Sequence, residues 1–236
     1  MVWEEQKKWL LDDDVTTTLC EKAGNIDAFE MDDDYLHIWK DISFRVQLNK
    51  AKTHGLTREQ TKKCLSQLWR RPYYLTLVAK AFGAKNIIEV GTAEGLQFYS
   101  FAEYASENGG HVWSCDIVDK KNKEYANRYQ DQTTFCLGTS KDLVTQIESE
   151  KFIVGGIDLF YIDASHEKGA VLQDVNNLKH LQSDNPIWVF DDFDERFGCY
   201  EDIQALCKQV GRFKIYRVGN AASGNPNHQA IVFGEL

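Results

Sequence analysis

The residues of this chain best placed to do chemistry are Asp163, His166 and the pair Asp191-Asp192. Each acid closes a short apolar run. Ile157-Asp158-Leu159-Phe160-Tyr161-Ile162 ends at Asp163, and Ile187-Trp188-Val189-Phe190 ends at Asp191-Asp192. Runs of this length and composition read as buried strands. Neighbouring strands would bring the three carboxylates to one sheet edge, where their repulsion is costly unless a positive charge sits among them. A hard divalent cation with oxygen ligands and water is the natural occupant. His166 follows Asp163 through Ala164-Ser165 and is the one histidine of six with a chemical context. Taken alone, it also fits a loop residue that caps the next helix.

A second group precedes it. The run Ile87-Ile88-Glu89-Val90 opens into Gly91-Thr92-Ala93-Glu94-Gly95. Gly91 allows a sharp turn, and Gly95 allows a ligand or backbone to come close at a helix start. Asp116 ends the following strand, 21 residues after Gly95. An acid at about that distance reaches ribose hydroxyls in nucleotide-binding sheets. The pattern is Glu-x-Gly-x-x-x-Gly rather than Gly-x-Gly-x-x-Gly, which disfavours a pyrophosphate-bearing dinucleotide.

The elements that must hold these residues alternate from Asn86 onward. Strands are expected at 86–90, 111–116, 133–137, 157–163 and 187–190. Helices are expected at 96–106, 120–130, 140–150, 168–182 and near 200–209. Two last strands, 213–218 and 229–233, flank a turn-rich hairpin joint. This order implies an α/β fold: a doubly wound, mainly parallel seven-stranded sheet with helices on both faces and the last strand antiparallel. Upstream, Tyr35, Ile38, Trp39, Ile42 and Val46 recur at helical spacing over 35–49. Thr57 and Gln60 form a capping-box pattern for a helix to about Arg70, and Pro72 and Gly83 bracket another. We divide the chain into an acidic helical extension, residues 1–56, and a domain, residues 57–236.

Of 236 residues, 43% are hydrophobic and 27% charged, which is ordinary for a globular protein. The net charge of −9 lies almost wholly in residues 1–36, which hold eleven acids and three lysines. The triplets Asp12-Asp13-Asp14 and Asp32-Asp33-Asp34 read as helix caps or solvated turns rather than metal clusters. No polybasic stretch marks a nucleic-acid or membrane surface, and no apolar run is long enough to span a bilayer. The start of the chain lacks the pattern of a signal peptide, so a cytoplasmic protein is expected. The six cysteines form no Cys-x-x-Cys pair and read as reduced structural thiols.

From about Thr57 to Phe233 the chain resembles class I S-adenosylmethionine-dependent methyltransferases, with a Rossmann-like sheet. The similarity is greatest to catechol-type and metal-dependent sugar O-methyltransferases. The resemblance implies that Glu89 lies near the methionine amino group and that Gly91, Thr92, Ala93 and Gly95 form the turn under the cofactor. Gln97 suits the methionine carboxylate, Asp116 the ribose, and Ile117 the adenine. Gly138-Thr139-Ser140-Lys141-Asp142 resembles the family's Gly-x-Ser segment, which puts Ser140 and Lys141 near adenine. Asp163 would border both cofactor and acceptor. Metal-dependent members bind Mg²⁺ (or Mn²⁺) through acids that match Asp163, Asp191 and Asp192, and His166 stands where sugar enzymes keep a general base. Asp191-Asp192-Phe193 departs from the Asp-Asn or Glu-Asp of those families.

The activity implied is methylation of a small-molecule hydroxyl on a sugar, polyol or catechol-like acceptor. A metal-independent methyltransferase and a cofactor-binding protein without turnover remain as alternatives. The acceptor pocket is expected from the loop Phe193–Tyr200 and the N-terminal helices. The aromatic residues Trp3, Trp9, Phe29, Tyr35 and Trp39 suit either a pocket wall or a surface that pairs copies of the chain as a homo-oligomer.

Overall fold

The computed structural model describes residues 57, 70–150, 155–220 and 226–236. The expected helices at 35–49 and from Thr57 to Arg70, both Asp triplets and the N-terminal aromatic residues lie outside this set, Thr57 itself and the last residue, Arg70, excepted.

The described chain runs α1 (Arg70–Phe82), β1 (Asn86–Val90), α2 (Leu96–Asn108), β2 (His111–Asp116), α3 (Lys123–Arg128) and β3 (Thr133–Leu137). It continues through α4 (Ser140–Glu150), β4 (Ile157–Ile162), α5 (Ala170–Leu178), β5 (Gln182–Phe190), α6 (Tyr200–Val210), β6 (Phe213–Asn220) and β7 (Pro226–Phe233). The seven strands form one sheet in the order β3-β2-β1-β4-β5-β7-β6. The first five pair in parallel, and β7 lies antiparallel between β5 and β6. The strand order reverses between β1 and β4, so the crevice beyond their carboxyl ends is where such a sheet takes a ligand.

Strand alternation divides the core into two layers. Ile87, Val112, Leu159, Tyr161 and Val189 pack on one face against Leu75 and Val78 of α1 and Phe98, Phe101 and Ala102 of α2. Ile88, Trp113, Phe160, Trp188 and Phe190 pack on the other against Leu143 of α4, Val175 of α5 and Ile203 of α6. Phe160 and Trp188 occupy one register position on β4 and β5, with ring centroids 3.8 Å apart and planes within 5°. Burying such aromatic surface on both sides fixes the register, because a one-residue slip would turn each set to the wrong layer.

Several elements depart from expectation, among them β6 and β7, which run to Asn220 and from Pro226 because Gly219 still pairs with Asn227 and Asn220 with Pro226. The helix expected from Lys120 begins at Lys123, because Asn122 caps it by accepting from the Glu124 N–H at 2.9 Å. The helix expected at 168–182 is confined to Ala170–Leu178 and passes into a 3₁₀ turn, Lys179–Leu181. Strand β5 starts at Gln182 instead of Ile187. Gln182 pairs with Ile157, and a register shift absorbs the polar stretch before Ile187.

Candidate functional site

Gly91 turns the chain at the end of β1 with φ +99°, and its N–H donates to the Cys115 carbonyl at 2.9 Å. Behind it, Glu89 is 1% exposed and accepts from the Ser114 hydroxyl at 2.6 Å. Ser114 and Thr92 share a further 2.6 Å hydrogen bond. A buried carboxylate survives only when hydrogen-bonded or paired. Ser114, opposite Glu89 on β2, supplies such a bond and was missed in the sequence. Its signal was available: a serine inside the apolar run His111–Asp116.

The turn is tied to β2 by Asp116. One carboxylate oxygen accepts from Ala93 N–H at 2.8 Å and the other from Val118 N–H at 3.0 Å. Ala93 holds φ +46°, a conformation unusual for a residue with a Cβ, and this hydrogen bond helps to fix it. Beside the acid, Ile117 is 76% exposed, and Leu137 at the end of β3 is 64% exposed. Leu137 pairs with Asp116 in the ladder, so an apolar step adjoins the acid at one sheet edge. On α2, Gln97 is buried with neither its amide oxygen nor its nitrogen hydrogen-bonded. A buried amide left so costs about 1–3 kcal/mol per group, which a polar ligand in the crevice would relieve. The glycine turn, the acid, the apolar step and this amide fit an adenosine-bearing cofactor with a zwitterionic tail.

The Gly138 segment behaves differently. Thr139 and Asp142 form a capping box at the start of α4, and its hydrogen bonds to the Thr139 N–H and hydroxyl hold the Asp142 carboxyl below its ordinary pKa. Lys141 is exposed. Ser140, however, is buried: its hydroxyl donates to Asp174 at 2.6 Å and accepts from Asn177 at 2.9 Å. That side chain ties α4 to α5. Burial pushes the Asp174 carboxyl above its ordinary pKa, partly offset by the Ser140 bond.

At the switch point, Asp163, His166 and Asp192 gather. One ligand atom from each lies within 4.8 Å of the other two. His166 Nε2 is 2.6 Å from Asp192 Oδ2, and the Tyr161 hydroxyl donates to Asp163 Oδ2 at 2.9 Å. Tyr161 stands two residues before Asp163 on one strand face, a spacing that could have revealed it. Asp191 is turned elsewhere. Its carboxylate accepts from the buried Gln229 amide of β7 at 2.8 Å. Both acids lie beyond the end of β5 at Phe190, and Asp192 takes φ +53° there, which turns its side chain away from that of Asp191. Two carboxylate oxygens and a ring nitrogen so close would suit a divalent cation, to which the carboxylates would supply hard oxygen ligands.

The loop after β5 walls this group. The Phe197 ring lies 4.7 Å from the His166 ring. Arg196 forks onto Asp194 at 2.7 and 3.2 Å, holding that carboxyl below its ordinary pKa. Burial, aided by Asp192, raises the Cys199 thiol to about 11, so it is a protonated packing group and no nucleophile. The other described cysteines, Cys115, Cys136 and Cys207, are also buried and free, with thiol pKa values raised by burial.

Residues 88–193 match a family model described as a methyltransferase domain. That match runs from within β1 to just past β5 and contains Glu89, Gly91, Gln97, Asp116, Asp163, His166, Asp191 and Asp192, but neither the loop residues Asp194–Cys199 nor Gln229 of β7. Over that segment the chain is similar to a methyltransferase domain, and its sheet has the Rossmann-like strand order. The chain is similar to the O-methyltransferase TomG from Streptomyces achromogenes, involved in tomaymycin synthesis and solved with SAM. The identity is 13%, the coverage 98% of this chain and 99% of that one, and the TM-score 0.60. An O-methyltransferase from Bacillus cereus, solved with SAH, is 17% identical over 96% of this chain and 98% of that one, with a TM-score of 0.57. The SAH-bound methyltransferase PaMTH1 of Podospora anserina is 13% identical over 94% of each chain, with a TM-score of 0.53. At these identities the likeness is one of fold. No curated protein sequence matches significantly. Among the described residues, no helix is long and apolar enough to cross a membrane.

Proposed function

We propose that this domain transfers the methyl group of S-adenosylmethionine to a hydroxyl of a small molecule such as a sugar, polyol or catechol. His166 acts as general base, and Asp163 and Asp192 hold a divalent cation, Mg²⁺ or Mn²⁺. The observation that carries the reading is the convergence of Asp163, His166 and Asp192 beside the Gly91 turn. The O-methyltransferase neighbours solved with SAM or SAH support it.

When bound, the cofactor supplies a methyl group already activated on sulfur, and the cation supplies Lewis acidity. The chain's residues then have three tasks. Glu89, Gln97 and Asp116 bind and orient the cofactor at the turn. Phe197 excludes water from one side of the imidazole. His166 would take the proton of the acceptor hydroxyl as the O–CH₃ bond forms and the S–CH₃ bond breaks, leaving S-adenosylhomocysteine.

The test is transfer of isotopically labelled methyl from S-adenosylmethionine to a panel of sugars, polyols and catechols, with and without EDTA. A methyl ether whose formation falls with EDTA supports the full reading. Full activity in EDTA makes the enzyme metal-independent. SAH binding without transfer to any hydroxyl makes it a binding protein. A second reading rests on the short spacing of the three ligand atoms: His166 is itself a ligand. Then His166→Ala would lose Mn²⁺ affinity as well as rate.

A further inference from the structure

The His166 side chain is 51% exposed, so burial does not set its direction. Its loop is held instead by the segment that starts α6. The His166 carbonyl accepts from Cys199 N–H at 3.1 Å. Gly198 makes this approach feasible, since a Cβ there would lie 2.9 Å from the His166 carbonyl oxygen and from the Lys168 nitrogen. Three residues beyond His166, Gly169 N–H donates to Asp202 Oδ2 at 2.6 Å. Lys168 also meets Glu201 at 2.7 Å, but both side chains are over 70% exposed, and such pairs contribute little.

Asp202 differs from that exposed pair. It is 5% exposed, on the first turn of α6, where a carboxylate ordinarily returns to its own helix cap. Here it reaches across to the N-terminus of α5 and fixes the αL glycine that ends the histidine loop. We propose that Asp202 is a positioning residue for His166: its carboxylate anchors the loop 166–169 so that the imidazole keeps its bond to Asp192 and its place against Phe197. The inference rests on the reading of His166 as the group that acts on the acceptor. It extends that reading to a residue in another helix that touches neither substrate nor cofactor.

The test uses the full chain with catechol and S-adenosylmethionine as probe, together with long-range ¹H–¹⁵N spectra of the histidine rings. Asp202→Ala should lower kcat by up to about 10²-fold, the cost of a misplaced reacting group, with KM for S-adenosylmethionine unchanged. Asp202→Asn, which keeps an acceptor oxygen, should recover most of the rate. The His166→Ala/Asp202→Ala double variant should be no slower than His166→Ala. The His166 ring signals should shift or broaden in Asp202→Ala and return in Asp202→Asn. If Asp202→Ala does not fold, Gly198→Ala displaces the same loop by crowding the His166 carbonyl and should give the same pattern. Unchanged ring signals with an unchanged rate overturn the proposal, as do additive losses in the double variant. Wild-type protein that methylates no acceptor of the sugar, polyol and catechol panel would count against the functional reading, while the ring spectra would still decide the role of Asp202.

Discussion

A side-chain carbon on Gly91 would lie 1.8 Å from the carbonyl oxygen of Asp163. The cofactor turn after β1 and the acidic end of β4 are therefore in backbone contact, and one glycine sets both. Gly91→Ala should cost roughly 1–3 kcal/mol from the strained φ and about 1–3 kcal/mol more from overpacking. SAH affinity and melting temperature should fall together. A variant that melts and binds like the wild type would mean that the two strand ends separate easily.

Asp191 and Asp192 should behave differently when truncated. Asp192→Ala removes a member of the close group with Asp163 and His166, so Mn²⁺ affinity measured by calorimetry should collapse while the fold survives. Asp191→Ala instead removes a hydrogen bond to the buried Gln229 amide, a loss of about 1–3 kcal/mol in stability. Its Mn²⁺ affinity should stay close to that of the wild type. Equal loss of metal by both variants would return Asp191 to the ligand set.

Asp174 yields a stability prediction with a pH sign. Burial raises its carboxyl pKa in the folded state, so the unfolded chain ionises first as pH rises. The stability tied to the protonated form is present below the ordinary carboxylate pKa and is lost as pH rises through the folded value. Asp174→Asn keeps an acceptor for the Ser140 hydroxyl without the buried charge. Its melting temperature should exceed the wild type's at neutral pH, and the gap should narrow toward about pH 4. A gap that is constant with pH would show that Asp174 carries no ionisation penalty.

Much of the site was legible because acids interrupt apolar runs. Glu89, Asp116, Asp163 and Asp191-Asp192 stand out against buried strands, and those strands line up in the order that doubly wound sheets require. What escaped has physical reasons. The first half of β5, Gln182-Ser183-Asp184-Asn185, carries no apolar signal, because a register shift and not side-chain burial accommodates it. The division between Asp191 and Asp192 arises just past the end of β5, and the positive φ of Asp192 has no signature in a residue that is not glycine. The partners of Ser140 on α5, Asp174 and Asn177, are 34 and 37 residues away in sequence and meet it only once the two helices pack. Asp202 reads as an ordinary acid in a helix's first turn, and only tertiary structure brings it to Gly169.

His166 is where the functional reading is most exposed to test. Its side chain is half in solvent and bonded to Asp192, so deleting the imidazole should leave the core intact and the melting temperature nearly unchanged. If it is the base, His166→Ala should lower kcat by about 10²–10⁴-fold, the usual contribution of a positioned proton acceptor. SAH affinity should hold, because the imidazole serves the acceptor's proton and not the sulfonium. An acceptor that enters with its oxygen already ionised should recover part of the lost rate, since no proton then has to be removed. A histidine that serves only to shape its loop makes the opposite forecast: earlier melting with normal turnover per folded molecule. Measuring kcat, melting temperature and Mn²⁺ affinity on one preparation separates the three roles. Loss of rate alone marks a base, loss of rate with loss of metal marks a ligand, and loss of stability alone leaves the acceptor's proton to another group.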